Sequence, residues 1–473
     1  MSQTIQFGTD GWRAVIAESF TFENVARVAQ ASADFWSANP VPGTDRRVVI
    51  GYDRRFLSEK FAAVAAEVFA GNDFEVILTP EPTPTPAVSY AVKQSGAVGG
   101  VVITASHNPP HFNGFKLKSH YGGPAMPETC AAVEQHLGTS AVCRLALDEA
   151  VRMRRVRVRD IRPAHYAALK RLVDYPLIKG SRLRFAHEAL FGVGAGCFDA
   201  LLAGTSCRVT TLNGQRDPLF GGINPEPIRQ NYRLSAGWLR RHPHDLCLVT
   251  DGDADRVGGM DGRGGYLSTH QIIALLLHHY IKNRGETGRV VKALTTTSLI
   301  DRMCAAHNLP LLEVPVGFKH ICGEMVKGGV MLGGEESGGI GFARHIPERD
   351  GLAAGLMLLE LLAVERRPIT RVLAAIHREY GRHCYDRNDL HYPLEERPRL
   401  LARLAADPPA KLLSSPVVAV HAYDGVKLVA ADSSWLMWRG SGTEPVLRIY
   451  AEAATDERVQ ALLRLGRKLT RLV

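Results

Sequence analysis

The chain has 473 residues, which at roughly 150 residues per domain is room for about three domains. With 45% apolar, 22% charged and 7% aromatic residues it excludes a disordered or fibrous protein and needs no special staple to build its core. The formal charge of +9 rests on 44 Arg and 13 Lys against 48 acidic residues; Arg is the preferred bidentate partner of phosphate, so the balance admits a nucleic acid or a small phosphorylated ligand, and position must decide.

The eight cysteines form neither a CxxC pair nor a Cys/His cluster, which argues against structural zinc and a disulfide framework. The N-terminal stretch lacks a charged segment followed by an apolar one, so a reducing, cytoplasmic setting is expected. The most apolar run, 352–364, carries Glu360 and is shorter than the roughly 20 residues that span a bilayer, so it reads as a buried helix.

In chain order, 48–52 reads as a strand, 57–69 as a helix and 75–78 as a second strand. A Pro-punctuated turn follows, then a helix near 87–93 and a third strand, 100–104, which ends at Ser106-His107-Asn108. Strand 245–250 ends at Asp251-Gly252-Asp253-Ala254-Asp255, and strand 330–332 ends at Gly334-Glu335-Glu336-Ser337-Gly338. Ligands of open α/β sheets bind beyond the carboxyl ends of strands, where all three polar loops fall. The likeness of Gly-Gly-Val-Val-Ile (99–103) to Gly-Gly-Val-Met-Leu (328–332) hints at repeated α/β domains. The basic stretch 152–162 reads as a solvated linker, and beyond Arg366-Arg367-Pro368 the pattern changes to a helix, mixed strands and a long terminal helix. Counting the loops raises three domains to four: 1–146, 147–258, 259–368 and 369–473.

Each loop has a chemical reading. Ser106 sits on a strand-to-loop corner where a hydroxyl can be activated or can carry a phosphoryl group, although a Ser/Asn turn capping local backbone has the same tripeptide. Asn113-Gly114-Phe115-Lys116 then offers a cation for phosphoryl oxygens. Asp251, Asp253 and Asp255 recur at every second residue, so in an extended loop they share one side and suit a hard cation such as Mg2+, with a solvated acidic turn as the alternative. A calcium EF-hand is excluded, because its sixth and twelfth positions are Arg256 and Gly262. Glu335 with Ser337 suits sugar hydroxyls, or else starts and caps a helix; Asp350 of His345-Ile346-Pro347-Glu348-Arg349-Asp350 equally suits a helix cap. Arg439-Gly440-Ser441-Gly442-Thr443-Glu444-Pro445, with Arg448, combines an anion-binding nest with two guanidiniums and lacks the Lys and spacing of a nucleotide-hydrolysing loop; a plain surface loop is its alternative.

The combination resembles the α-D-phosphohexomutase superfamily, which includes phosphoglucomutases, phosphomannomutases and phosphoglucosamine mutases. The match adds Phe7-Gly8-Thr9-Asp10-Gly11-Trp12-Arg13 and Gly317-Phe318-Lys319 to these loops, in the family's order. The resemblance implies three similar α/β domains and a C-terminal TATA-binding-protein-like α+β domain around a central cleft. It implies that Ser106 is the phosphoserine and that Ser106, Asp251, Asp253 and Asp255 hold Mg2+. Arg13, His107 and Lys116 would attend the transferring group, with Lys116 as base. Arg256, Lys319, Glu335, Ser337, His345 and Arg349 would contact substrate; Arg439, Ser441, Gly442, Thr443 and Arg448 would hold the resting phosphate. The implied reaction runs through a hexose 1,6-bisphosphate, with glucose 1,6-bisphosphate as activator.

Many family members have His where this chain has Gly339, so an acid/base role does not transfer there, and His345 is the candidate replacement. Glu336 and the phrase from His345 to Leu352 are more like the phosphoglucomutase branch, making glucose phosphate the first substrate expectation. A phosphomannomutase or dual-specificity enzyme is the alternative, then a phosphoglucosamine mutase, and from another class a noncatalytic phosphosugar-binding protein. The expected partner is a phosphorylated hexose; neither nucleic acid nor membrane is expected, and the assembly is a monomer or homodimer.

Overall fold

The structure, a computed structural model, describes residues 5–8, 11–440 and 445–471. Its first sheet is built on the run from Asp45 to Tyr52, which pairs in parallel with Glu75–Leu78 on one side and Ala97–Ile103 on the other. Such a strand is covered on both faces and therefore carries continuous apolar sequence rather than alternation. Val48 and Ile50 face the helices Phe22–Ala38 and Ser58–Gly71, while Val49 faces Thr85–Ser95. At Gly99 a Cβ would lie 2.3 Å from the Trp36 ring, so glycine lets helix Phe22–Ala38 press onto the strand that leads to Ser106. The basic stretch is more than a linker: Val156–Val158 adds to the far edge of the sheet, with Val156 buried and Arg157 exposed. Alternating Arg with Val blunts that edge against further pairing.

The second sheet has the order Tyr266–Leu267, Val257–Asp261, Leu246–Thr250, Arg184–Glu188, Arg208–Leu212, and the third has Leu311–Val314, Arg289–Ala293, Val330–Gly334, Ile340–Phe342. All three sheets share one device. A strand from the parallel part turns back on itself as an antiparallel hairpin: 97–103 with 112–119, 246–250 with 257–261, and 330–334 with 340–342. The three polar loops are these hairpin connections.

Helix Gly351–Glu365 is buried through most of its length and fills a core shared by the second and third sheets. A Cβ on Gly355 would lie 2.4 Å from the Phe198 ring, which sets that close approach. Ile369, Val372, Leu373 and Ile376 of the following helix, Ile369–Tyr380, enter the same core. The C-terminal region is an all-antiparallel sheet of six strands whose apolar face packs on helices Arg397–Ala406 and Asp456–Thr470, an α+β unit of its own. Among the described residues no helix is long and apolar enough to cross a membrane.

Candidate active site

Ser106 is fully buried and has φ +53°, a left-handed conformation that a non-glycine residue adopts only when its surroundings enforce it. In that conformation its Oγ donates to Asp251 Oδ2 at 2.8 Å and lies 3.3 Å from His107 Nδ1. Arg13 stands beside the same turn, donating from Nη1 to Asn108 Oδ1 at 2.6 Å. Burial and the positive charges of Arg256, Arg13 and Lys116 hold the His107 pKa well below its usual value, so its imidazole is neutral at pH 7.

The aspartate loop lies across from this turn. Lys116, on the return strand of the serine hairpin and fully buried, donates to Asp253 Oδ2 at 2.8 Å and to Asp255 Oδ2 at 3.1 Å. Thr85 Oγ1 also donates to Asp253 Oδ2, at 2.7 Å, and Arg349 Nη2 to Asp255 Oδ2, at 2.8 Å. Burial pushes the Asp251 pKa up, and the charges of Asp253 and Asp255 push it further. Burial has the same tendency at Asp253, but Lys116 outweighs it and holds that carboxyl below its ordinary range. Asp253 Oδ1 and Asp255 Oδ1 are buried without a hydrogen-bond partner. Ligand oxygens of the three aspartates lie within 4.8 Å of one another. Unpaired buried carboxylate oxygens are costly unless a cation faces them, and an all-oxygen set with Ser106 adjacent fits Mg2+. Lys116 is thus held between two carboxylates at the edge of the serine turn.

The third loop forms no helix: Glu335 to Gly339 is a tight hairpin turn, in which Glu335 N donates to Gly339 O at 3.0 Å. Glu335 Oε1 accepts from Ser337 Oγ at 2.9 Å and lies 3.6 Å from Arg349 Nη1. A Cβ on Gly339 would sit 2.5 Å from Arg349 Cδ, so the space next to Ser337-Gly338 is taken by the Arg349 side chain. Arg349 thereby joins the Glu335–Gly339 loop to the aspartate loop. Arg256 reinforces the junction through an antiparallel bridge to Gly339, and its amide donates to Asp251 Oδ1 at 3.1 Å.

The fourth sheet contributes guanidiniums. Arg439 and Arg448 are direct cross-strand partners and so share a face. Asp424 fixes Arg439 through Nε contacts of 2.9 and 3.0 Å. Ser441, Gly442 and Thr443 lie outside the described residues. Lys319, half-buried at the start of helix Phe318–Lys327, adds its charge near His320, as does Arg439. His345 is held apart from the serine turn. Its Nε2 and that of His165 lie 2.8 and 2.7 Å from Asp350 Oδ2, and its ring stacks on those of His165 and Tyr90. The His345 side chain is thus directed at Asp350, His165 and Tyr90. Asp350 caps the helix as expected, accepting at Oδ1 from Leu352 N and Ala353 N.

Sequence reasoning missed the residues beneath the site. Arg55, Asp53 and Thr104 hold the serine turn from behind, and Lys118 pairs with Glu348 at 2.5 Å to seat the segment that carries Arg349. Arg387, cross-strand from Tyr450, lies 3.5 Å from Glu336 and adds a third guanidinium to the fourth sheet's polar face. Their only sequence signal was ionisable residues directly after a buried strand or at alternating positions in one.

Comparison with known proteins places four successive family models along the chain: the phosphoglucomutase/phosphomannomutase alpha/beta/alpha domains I at 4–141, II at 163–264 and III at 268–380, and the C-terminal domain at 400–464. The crystal structure of a Thermus thermophilus protein assigned as a phosphomannomutase matches with a TM-score of 0.87 and 35% identity over 100% of both chains. A phosphoglucomutase/phosphomannomutase of Thermococcus kodakarensis is 28% identical over 98% of both chains. A phosphoglucosamine/phosphogalactosamine mutase of Sulfurisphaera tokodaii is 29% identical over 96% of both.

Proposed function

Since the chain belongs to the phosphoglucomutase/phosphomannomutase family and is a phosphohexomutase, we propose that it interconverts glucose 1-phosphate and glucose 6-phosphate through phosphorylated Ser106. The observation that carries this reading is the Ser106 Oγ to Asp251 Oδ2 contact of 2.8 Å beside two buried carboxylate oxygens that accept no hydrogen bond.

In this mechanism the phosphorus–oxygen bond at Ser106 breaks as a new one forms to the free hydroxyl of the hexose phosphate, whose proton passes by way of the His107 imidazole to Ser106 Oγ. The resulting glucose 1,6-bisphosphate turns end for end, and its other phosphate returns to Ser106. Asp251, Asp253 and Asp255 would hold Mg2+, and the bound ion would supply Lewis-acid stabilisation of negative charge. Lys116 and Arg13 add fixed positive charge at that end, in a buried setting where it needs no reorganisation. His107, neutral and 3.3 Å from Ser106 Oγ, exchanges a proton with that oxygen. Glu335 and Ser337 accept and donate hydrogen bonds to sugar hydroxyls. Arg439 and Arg448, with the loop between them, hold the phosphate that is not moving.

Glu336 and the segment from His345 support glucose as the preferred sugar. The 35% identical Thermus protein favours a second reading, a mannose phosphate or dual-specificity mutase. Paired kinetics on glucose and mannose 1-phosphates, with Mg2+ and a trace of glucose 1,6-bisphosphate, test both. Glucose 1-phosphate is expected to have the higher kcat/KM, and robust turnover of glucosamine phosphate alone would overturn the assignment.

A further inference from the structure

Arg55 has no exposed surface. All five of its N–H donors are nevertheless directed. Nη2 donates to Ser106 O and Asn108 O, each at 2.7 Å. Nη1 donates to Pro109 O at 2.8 Å and Phe112 O at 3.0 Å, and Nε to Asp53 Oδ2 at 3.2 Å. Its guanidinium also lies 5.0 Å over the ring of Phe220, a residue of the neighbouring unit. A single side chain therefore gathers four carbonyls of the serine turn.

The other half of the pair reaches the same serine from the opposite end. Ser106 N donates to Thr104 Oγ1 at 2.8 Å, and Thr104 Oγ1 donates to Asp53 Oδ2 at 2.6 Å. Asp53 Oδ1 is fixed in turn by Ser58 Oγ and Arg55 N, each at 2.9 Å. Burying both charges costs more than an apolar plug of the same volume, so stability alone gives weak reason to place an ion pair here. The left-handed φ of Ser106 is a local strain that persists only where neighbours over-determine it, and this network does so.

We propose that the buried Asp53–Arg55 pair is a positioning device for phosphoryl transfer: it grips Ser106 at its carbonyl directly and at its amide through Thr104, and so aims Oγ at Asp251. The inference rests on Ser106 being the phosphoryl carrier. The substrate's sugar and resting phosphate are met by other loops, so the pair governs the transfer step and leaves binding alone.

Two variants test it, Arg55→Lys, which keeps the charge but loses the fork, and Thr104→Val, which is near-isosteric and removes only the relay hydroxyl. Three readouts are needed: thermal stability, KM and kcat for the hexose phosphate, and single-turnover phosphorylation of Ser106 by glucose 1,6-bisphosphate followed by intact mass. R55K is expected to slow kcat and Ser106 phosphorylation together by about 100-fold, as for an ångström-scale misplacement, with KM within about threefold of wild type. T104V is expected to slow both by about tenfold with KM unchanged, the two buried hydrogen bonds it loses lowering thermal stability while the protein stays folded. Should R55K fail to fold, T104V alone decides. Wild-type phosphorylation rates in a folded variant would overturn the proposal, as would a raised KM with kcat retained. Turnover by the wild-type protein with Ser106 never phosphorylated would instead sink the reaction itself, a result distinguishable from either.

Discussion

Ser106 and Asp251, 145 residues apart, meet in a 2.8 Å hydrogen bond that runs from the serine Oγ to the aspartate Oδ2. The contact puts the hydroxyl at the edge of the aspartate cluster, where, under the proposed mechanism, a phosphoryl group on serine would face the cation. Ser106→Ala removes the carrier and leaves the sugar contacts in place. Mutase activity is expected to fall at least about 1000-fold, with calorimetric binding of glucose 1-phosphate retained; near-normal turnover would refute the mechanism.

Thr85 tests the cation site from behind, because its hydroxyl orients Asp253 without facing the cleft. In Thr85→Val the Asp253 carboxylate loses one of its two fixed donors at Oδ2. Mg2+ affinity, read from the concentration that restores activity after chelation, is expected to weaken by about 10- to 100-fold. Saturating Mg2+ should recover most of kcat. Unchanged Mg2+ dependence would mean that Thr85 does not orient the aspartate.

Gly339 is glycine because of its neighbours. A methyl group there would lie 2.5 Å from Arg349 Cδ and 2.7 Å from Glu335 Oε1. Gly339→Ala is therefore expected to displace Arg349 from Asp255 and to lower kcat/KM by about tenfold or more. Wild-type kinetics would show that the Arg349 position is not required.

Asp350 links stability to pH. Burial tends to raise its pKa, but His165 and His345 outweigh that and hold it below the ordinary carboxylate range. A carboxyl depressed in the folded state stabilises at pH above its unfolded pKa, and that contribution is lost as pH falls from about 4 through the folded value. Asp350→Ala also removes the helix cap and is expected to cost about 3 kcal/mol near neutral pH, by urea denaturation. The gap between wild type and variant should shrink as pH drops below about 4, and a gap that grows would contradict this sign.

Much of this architecture was legible because its signals are local. Strand 75–78 has the expected bounds, and 48–52, 57–69 and 352–364 differ only at their ends. The three loops stood out because each places polar residues directly after an apolar strand. Two kinds of feature did not show. Glu335 to Gly339 has the composition of a helix start, and only pairing between 330–334 and 340–342 makes it a hairpin. His345 resembles an active-site imidazole in its phrase, yet His165, 180 positions earlier in the chain, draws it to Asp350. Arg55 was invisible for the same reason, since its partners, apart from Asp53, lie more than 50 positions away.

The hairpin loops have one further consequence, and it is mechanical. Main-chain hydrogen bonds stitch the first three units at the site: Thr85 N to Asp253 O, Val257 N to Gly338 O and Gly351 N to Ala254 O. Among the described residues, the fourth sheet meets its neighbours only through side chains, as where Asp424 accepts from Val316 N, Glu452 from Ser298 N, and Leu294 O from Lys427. The seam between them is therefore crossed, among the described residues, by no hydrogen bond from main chain to main chain. It runs beside the residues proposed to grip the idle phosphate, so under the proposed mechanism a doubly phosphorylated sugar would have room to tumble there while the tools of transfer stay in register.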